Sequence, residues 1–153
     1  MIQIQTTMKI SKSILLIEDD KDDQLFFTEC LEKIENATLF DIANNGREAL
    51  DKLEKSINLP DMIFMDINMP LMNGLNCLTE INKDPRTKNI PVVMLSTDAE
   101  QAEQARTRGA KAFKKKPGSF AILQSRVEQL INLDFISNAS FANQTFQTAQ
   151  YAE

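Results

Sequence analysis

Histidine is absent from this chain of 153 residues. That excludes His-based metal sites, Ser-His-Asp and Cys-His nucleophile systems, and a phosphohistidine intermediate on the chain itself. Only four glycines occur, and neither a G-x-G-x-x-G nor a P-loop pattern is present, so nucleotide binding has no support. Cysteine is equally scarce: Cys30 and Cys77 stand far apart without CxxC spacing and read as two small core residues. No stretch approaches the ~20 apolar residues of a membrane span. The first eleven residues hold no apolar block of signal-peptide length. A cytoplasmic location is therefore expected, and Asn-x-Ser/Thr matches at Asn36, Asn138 and Asn143 read as chance. Positive charge is not in excess either: a net charge of −5 and a pI near 4.9 argue against nucleic-acid binding as the main work.

What is present suits one domain with a real core: 42% hydrophobic and 25% charged residues. Three short apolar runs stand out, at Ile14-Leu15-Leu16-Ile17, Met62-Ile63-Phe64-Met65 and Val92-Val93-Met94-Leu95. Each is too short for a helix and lacks alternation, as expected of strands in a sheet covered on both faces. Between them lie segments of helical spacing. Residues 22–34 carry Leu25, Phe26, Cys30 and Leu31, and residues 46–55 carry Ala49, Leu50 and Leu53. Residues 75–81 carry Leu75, Leu78 and Ile81, residues 99–108 repeat Ala99, Ala102 and Ala105, and residues 121–133 carry Ile122, Leu123, Val127, Leu130 and Ile131. Weaker strands fit at 39–42 and 112–115, where Lys114 and Lys115 suit a sheet edge. Five strands alternating with five helices imply an α/β fold, a parallel sheet with helices on both faces.

The chemistry gathers at the strand ends. The first strand is followed by Glu18, Asp19 and Asp20, the third ends at Asp66, the fourth at Ser96 and Thr97, and the fifth at Lys116-Pro117. Open α/β sheets bind ligands outside the carboxyl ends of their strands, so these groups converge on one edge. Packed carboxylates repel one another unless a cation sits among them. An all-oxygen set without His or Cys suits a hard ion such as Mg²⁺. A lysine beside it supplies a compact charge for phosphate, and the Ser96 hydroxyl can donate to a phosphoryl oxygen. The edge reads as Mg²⁺, a nucleophilic carboxylate and room for a phosphoryl group. Asp20, Asp22 and Asp23 read instead as a turn and helix start, where acids favour the N-terminus.

Ile-Leu-Leu-Ile-Glu-Asp-Asp (14–20), Pro60-Asp61 through Asp66 to Pro70 and Gly74, Pro91-Val-Val-Met-Leu-Ser96-Thr, and Gly109 through Phe113 to Lys116-Pro117 occur in order. Over residues 12–133 the chain resembles the receiver domain of bacterial two-component response regulators. The Asp20–Asp23 run, the loop from Lys83 to Pro91 and Val-Val-Met-Leu-Ser-Thr look most like single-domain regulators paired with phytochrome-type sensor kinases. The resemblance implies a flavodoxin-like fold of strand order 2-1-3-4-5, with Asp66 as phosphoacceptor. It implies Mg²⁺ on Asp19, Asp66 and the Asn68 carbonyl, with Glu18 acting through water. It also implies Lys116 on the phosphoryl oxygens with a cis bond to Pro117, Ser96 and Phe113 as switch pair, and Asn68 and Asp98 tuning phosphoryl lifetime.

The expected function is phosphoryl transfer from a sensor histidine kinase or phosphotransfer protein onto Asp66, read by a downstream protein target at the face of residues 99–133. Such a chain is a phosphoacceptor and not a turnover enzyme. A metal-dependent phosphatase or phosphotransferase is the rival, but Asn68 stands where a general acid would be needed. A passive scaffold is the other. Residues 1–11 read as a flexible leader and 134–153 as a disordered or partner-docking tail. About 20 tail residues cannot form a DNA-binding domain, so no direct DNA binding is expected. No membrane association is expected, and a homodimer through the switching face stays open.

Overall fold

The computed structural model describes residues 10–133; the proposed leader and tail lie almost wholly outside them. Strands β1 (Lys12–Ile17), β2 (Ala37–Ala43), β3 (Met62–Asp66), β4 (Val92–Ser96) and β5 (Ala112–Lys115) alternate with helices α1 (Lys21–Glu32), α2 (Gly46–Lys55), α3 (Gly74–Lys83), α4 (Ala102–Thr107) and α5 (Phe120–Ile131). A single 3₁₀ turn, Ala99–Gln101, precedes α4. The strands form one parallel sheet in the order β2-β1-β3-β4-β5, with β5 at an edge as Lys114 and Lys115 suggested.

The continuous apolar runs are explained by the two covered faces. Ile14, Leu16, Met62, Phe64, Val93, Leu95 and Ala112 pack with α1 and α5 through Phe27, Leu31, Leu123, Val127 and Leu130. The intervening Leu15, Ile17, Ile63, Met65, Met94 and Phe113 pack with Ala49, Leu53, Leu75, Leu78, Ile81, Ala102 and Ala105 of the other helices. Both cysteines are buried and free, and burial pushes the Cys30 thiol up to about 11 and the Cys77 thiol to about 12. Asn36 is buried and donates to Asn132 at 2.8 Å, a structural amide and not a surface acceptor.

One sequence expectation fails in α1. Leu25 is exposed, and the buried stripe runs through Gln24, Phe27, Cys30 and Leu31. At about 100° per residue, Leu25 lies roughly 200° from Phe27, so both cannot face the sheet. Packing chose the stripe that includes a glutamine.

Glycine is required at one position near the sheet edge. A Cβ on Gly74 would lie 2.2 Å from the Asp66 carbonyl oxygen and 2.8 Å from the Ile67 Cα. The start of α3 therefore rests directly on the Asp66 backbone. The loop between them is closed by Gly74 N donating to the Ile67 carbonyl at 2.7 Å and Gly46 N donating to the Met72 carbonyl at 3.2 Å.

Candidate functional site

The carboxyl ends of β1, β3, β4 and β5 bring Glu18, Asp66, Ser96 and Lys116 together, as their sequence positions suggested. Glu18 directly follows β1 and is buried; its N–H donates to the Ala43 carbonyl, and its Oε1 accepts from Asp20 N at 3.1 Å. Asp66, buried at the end of β3, accepts from Ile67 N at 2.9 Å. Glu18, Asp19 and Asp66 can each offer an oxygen such that all three lie within 4.8 Å of one another. Lys116 reaches in from beyond β5, its backbone N–H held by the Ser96 carbonyl at 2.9 Å. Its Nζ donates to Glu18 Oε2 at 2.6 Å and to Asp23 Oδ2 at 3.0 Å, and stands 3.6 Å from Asp66 Oδ1.

The electrostatics are those of a crowded acidic edge. Burial pushes the Glu18 carboxyl up to about 7; the Asp66 charge adds to this, and Lys116 opposes it. Asp66 is likewise held above the usual carboxylate range by burial, with Asp19 adding and Lys116 and the Ile67 N–H opposing. Burial disfavours the Lys116 ammonium, but the bond to Glu18, the charge of Asp66 and the bond to Asp23 outweigh it and hold the pKa above its ordinary value. Three hard carboxylates in reach of one point, two of them with pKa values raised chiefly by burial, fit a divalent hard cation.

Ser96 is fully buried, its Oγ accepting from Asp98 N at 3.0 Å and lying 3.5 Å from Gln101 Oε1. Phe113 is also fully buried and is paired in register with Met94. By strand alternation Ser96 shares the face of Met94 and Phe113, beneath α4. Asn68 and Asp98 are both exposed beside the edge. The bond to Pro117 departs from expectation: no peptide bond among the described residues is cis. Trans is the lower-energy form of an X-Pro bond by about 0.5–1 kcal/mol, and the chain reaches α5 without the cis form.

A family model described as the response regulator receiver domain matches residues 14–128. The chain belongs to this family. It is therefore a receiver domain of two-component signalling. The polar-differentiation response regulator DivK of Brucella anthropi is 31% identical over 108 residues, covering 69% of this chain and 85% of DivK. The phosphorylated cyanobacterial phytochrome response regulator RcpA is 28% identical with a TM-score of 0.71, over 78% of this receiver and 91% of that chain. The bacteriophytochrome response regulator AtBRR is 27% identical with a TM-score of 0.67, over 82% and 96%. The phytochrome-type likeness thus appears among the structures. Other curated relatives are much longer, and this receiver spans between 5% and 37% of their length.

Three residues of the receiver site escaped sequence reading. Asp23 sits in the first turn of α1, as a helix-start acid should, but it also pairs with Lys116. Gln24 is buried and donates to the Glu18 carbonyl at 2.6 Å and to Asn44 Oδ1 at 2.8 Å, fixing the chain where the acidic pair begins. Its signal was available: it is the polar member of the stripe that continues through Phe27 and Leu31. Gln101 is the third. Among the described residues no helix is long and apolar enough to cross a membrane.

Proposed function

We propose that this receiver accepts a phosphoryl group on Asp66 from a phosphohistidine of a sensor histidine kinase or phosphotransfer protein and signals through a changed protein-docking surface. The observation that carries this is the Lys116 ammonium set between Glu18 and Asp66, 3.6 Å from the latter, beside a three-carboxylate cluster. Asp66 is the nucleophile, and its Oδ1 is already oriented by the Ile67 N–H. Asp19, Asp66 and the Asn68 carbonyl would hold Mg²⁺, with Glu18 acting through water. Bound there, Mg²⁺ would neutralise charge on the transferring oxygens. Lys116 supplies the second positive charge, preorganised by its carboxylate partners.

Readout starts at Ser96. A phosphoryl oxygen offers its hydroxyl a new acceptor, and movement of Ser96 alters the space on the face it shares with Phe113. The face of α4, β5 and α5 then changes for a downstream protein target or a second copy of the chain. The exposed charges of α4 are partly spent on one another, Arg106 pairing with Glu103. Asn68 and Asp98 tune the phosphoryl lifetime. The reading takes 12–133 as the receiver unit, with 1–11 as leader and 134–153 as tail, acting in the cytoplasm without direct DNA or membrane binding.

Incubation with acetyl phosphate, followed by intact mass spectrometry, tests the assignment. One phosphoryl adduct that requires Mg²⁺ and is absent from Asp66→Asn is expected. An adduct that persists in Asp66→Asn, or none in the wild type, would overturn it.

A further inference from the structure

Gln101 closes the 3₁₀ turn before α4 and occupies the N-cap position of that helix, yet its side chain makes no capping bond. It is turned to the sheet edge instead. Its Oε1 lies 3.5 Å from Ser96 Oγ, and its Nε2 donates to Asn68 Oδ1 at 3.5 Å. One amide thus spans the loop that begins at Asp66 after β3 and the neighbouring loop after β4.

The hydroxyl of Ser96 has a single proton to give. Its oxygen accepts from Asp98 N at 3.0 Å, and Gln101 Oε1 receives the proton. Because Ser96 is fully buried, a hydroxyl without an acceptor there would be costly. A phosphoryl oxygen on Asp66 competes for the same proton. Gln101 and the phosphoryl group are alternative acceptors, and the bond to Asn68 ties the loop after Asp66 to the same amide.

We propose that Gln101 is a positioning residue that latches the unphosphorylated arrangement, holding Ser96 and Asn68 together until a phosphoryl oxygen takes the Ser96 proton. The inference rests on the function proposed above. Both bonds are long, so the latch is weak, and its release should change affinity by about threefold.

The test is calorimetric titration of the full chain with beryllofluoride in saturating Mg²⁺, a probe of the phosphorylated state. Gln101→Met keeps the volume and removes both bonds; its Kd should fall about threefold. Gln101→Glu keeps an acceptor for Ser96, now charged, and its Kd should rise. In a Ser96→Ala background, Gln101→Met should have no effect on Kd. A merely structural residue would lower the thermal midpoint without moving Kd in opposite senses for Met and Glu. An unchanged Kd in Gln101→Met, or the same change with Ser96→Ala, would overturn the latch. Gln101→Ala serves if the Met variant does not fold. A wild-type response with none in Gln101→Met sinks the latch alone, whereas a wild type that does not respond sinks the proposed function as well.

Discussion

On one face of the sheet, α1 and α5 run for 12 residues each and bury Phe27, Leu31, Leu123, Val127, Leu130 and Ile131. On the other, α4 is 6 residues long, buries only Ala102 and Ala105, and begins without a side-chain cap. A buried leucine contributes about 1.5–3 kcal/mol through apolar burial, and an alanine far less. Gln24, in α1, holds the chain at Glu18, and α1 and α5 anchor the acidic edge. Helix α4 lies beside Ser96 and Phe113 with little holding it. The comparison teaches that the acidic edge rests on long, well-buried helices, whereas α4 beside Ser96 is lightly held and can move at small cost.

The largest expected effect lies in α5. Leu130→Ala should lose about 3 kcal/mol of stability in denaturant unfolding, since it empties a packed site. Gly74→Ala sharpens the contrast by testing how closely α3 is seated on the Asp66 backbone. Its Cβ would overlap the Asp66 carbonyl oxygen, so a loss of about 2 kcal/mol and slower adduct formation from acetyl phosphate are expected. Ala105→Gly in α4 should cost only about 1 kcal/mol. If it costs as much as Leu130→Ala, the distinction between α4 and the helices α1 and α5 is gone. Hydrogen exchange reads the same difference without substitution: amides of 102–107 should exchange well before those of 120–131, and equal protection would contradict it.

A pH dependence is seated at the acidic edge. Glu18 holds its proton to about 7, against an ordinary value of 4.5. The folded protein thus binds this proton more tightly than the unfolded chain. Its contribution to stability is full below pH 4.5 and is lost as pH rises through 7. Asp66, also raised, acts in the same direction. Thermal midpoints without Mg²⁺ should fall across that window. Added Mg²⁺ should raise them more at pH 8 than at pH 6, because an ionised Glu18 leaves the carboxylate cluster more negative. A midpoint gain from Mg²⁺ that is equal at both pH values would count against Glu18 as the responsible group.

Much of the fold was legible because two-face burial writes apolar runs directly into strands: 62–65 and 92–95 each fall one residue short of the observed β3 and β4. The positions of Glu18, Asp66, Ser96 and Lys116 were legible for a related reason, since parallel strands bring all their carboxyl ends to one edge. The stripe of α1 was not. Leu25 and Phe26 are more apolar than Gln24, and hydrogen bonds to Glu18, Asn44 and Lys21 make a buried glutamine favourable there. The isomer of the Lys116–Pro117 bond and the short, split form of α4 were equally out of reach, because both depend on how the chain closes around the edge.

The sequence by itself determined the strands, the helical segments and the family, because burial periodicity and ordered motifs are local properties of the chain. Only the tertiary structure decided which partners the charged and polar groups take. Asp23 reaches Lys116 across 93 residues and Gln101 reaches Asn68 across 33, and contacts so distant along the chain arise only when the sheet edge is assembled.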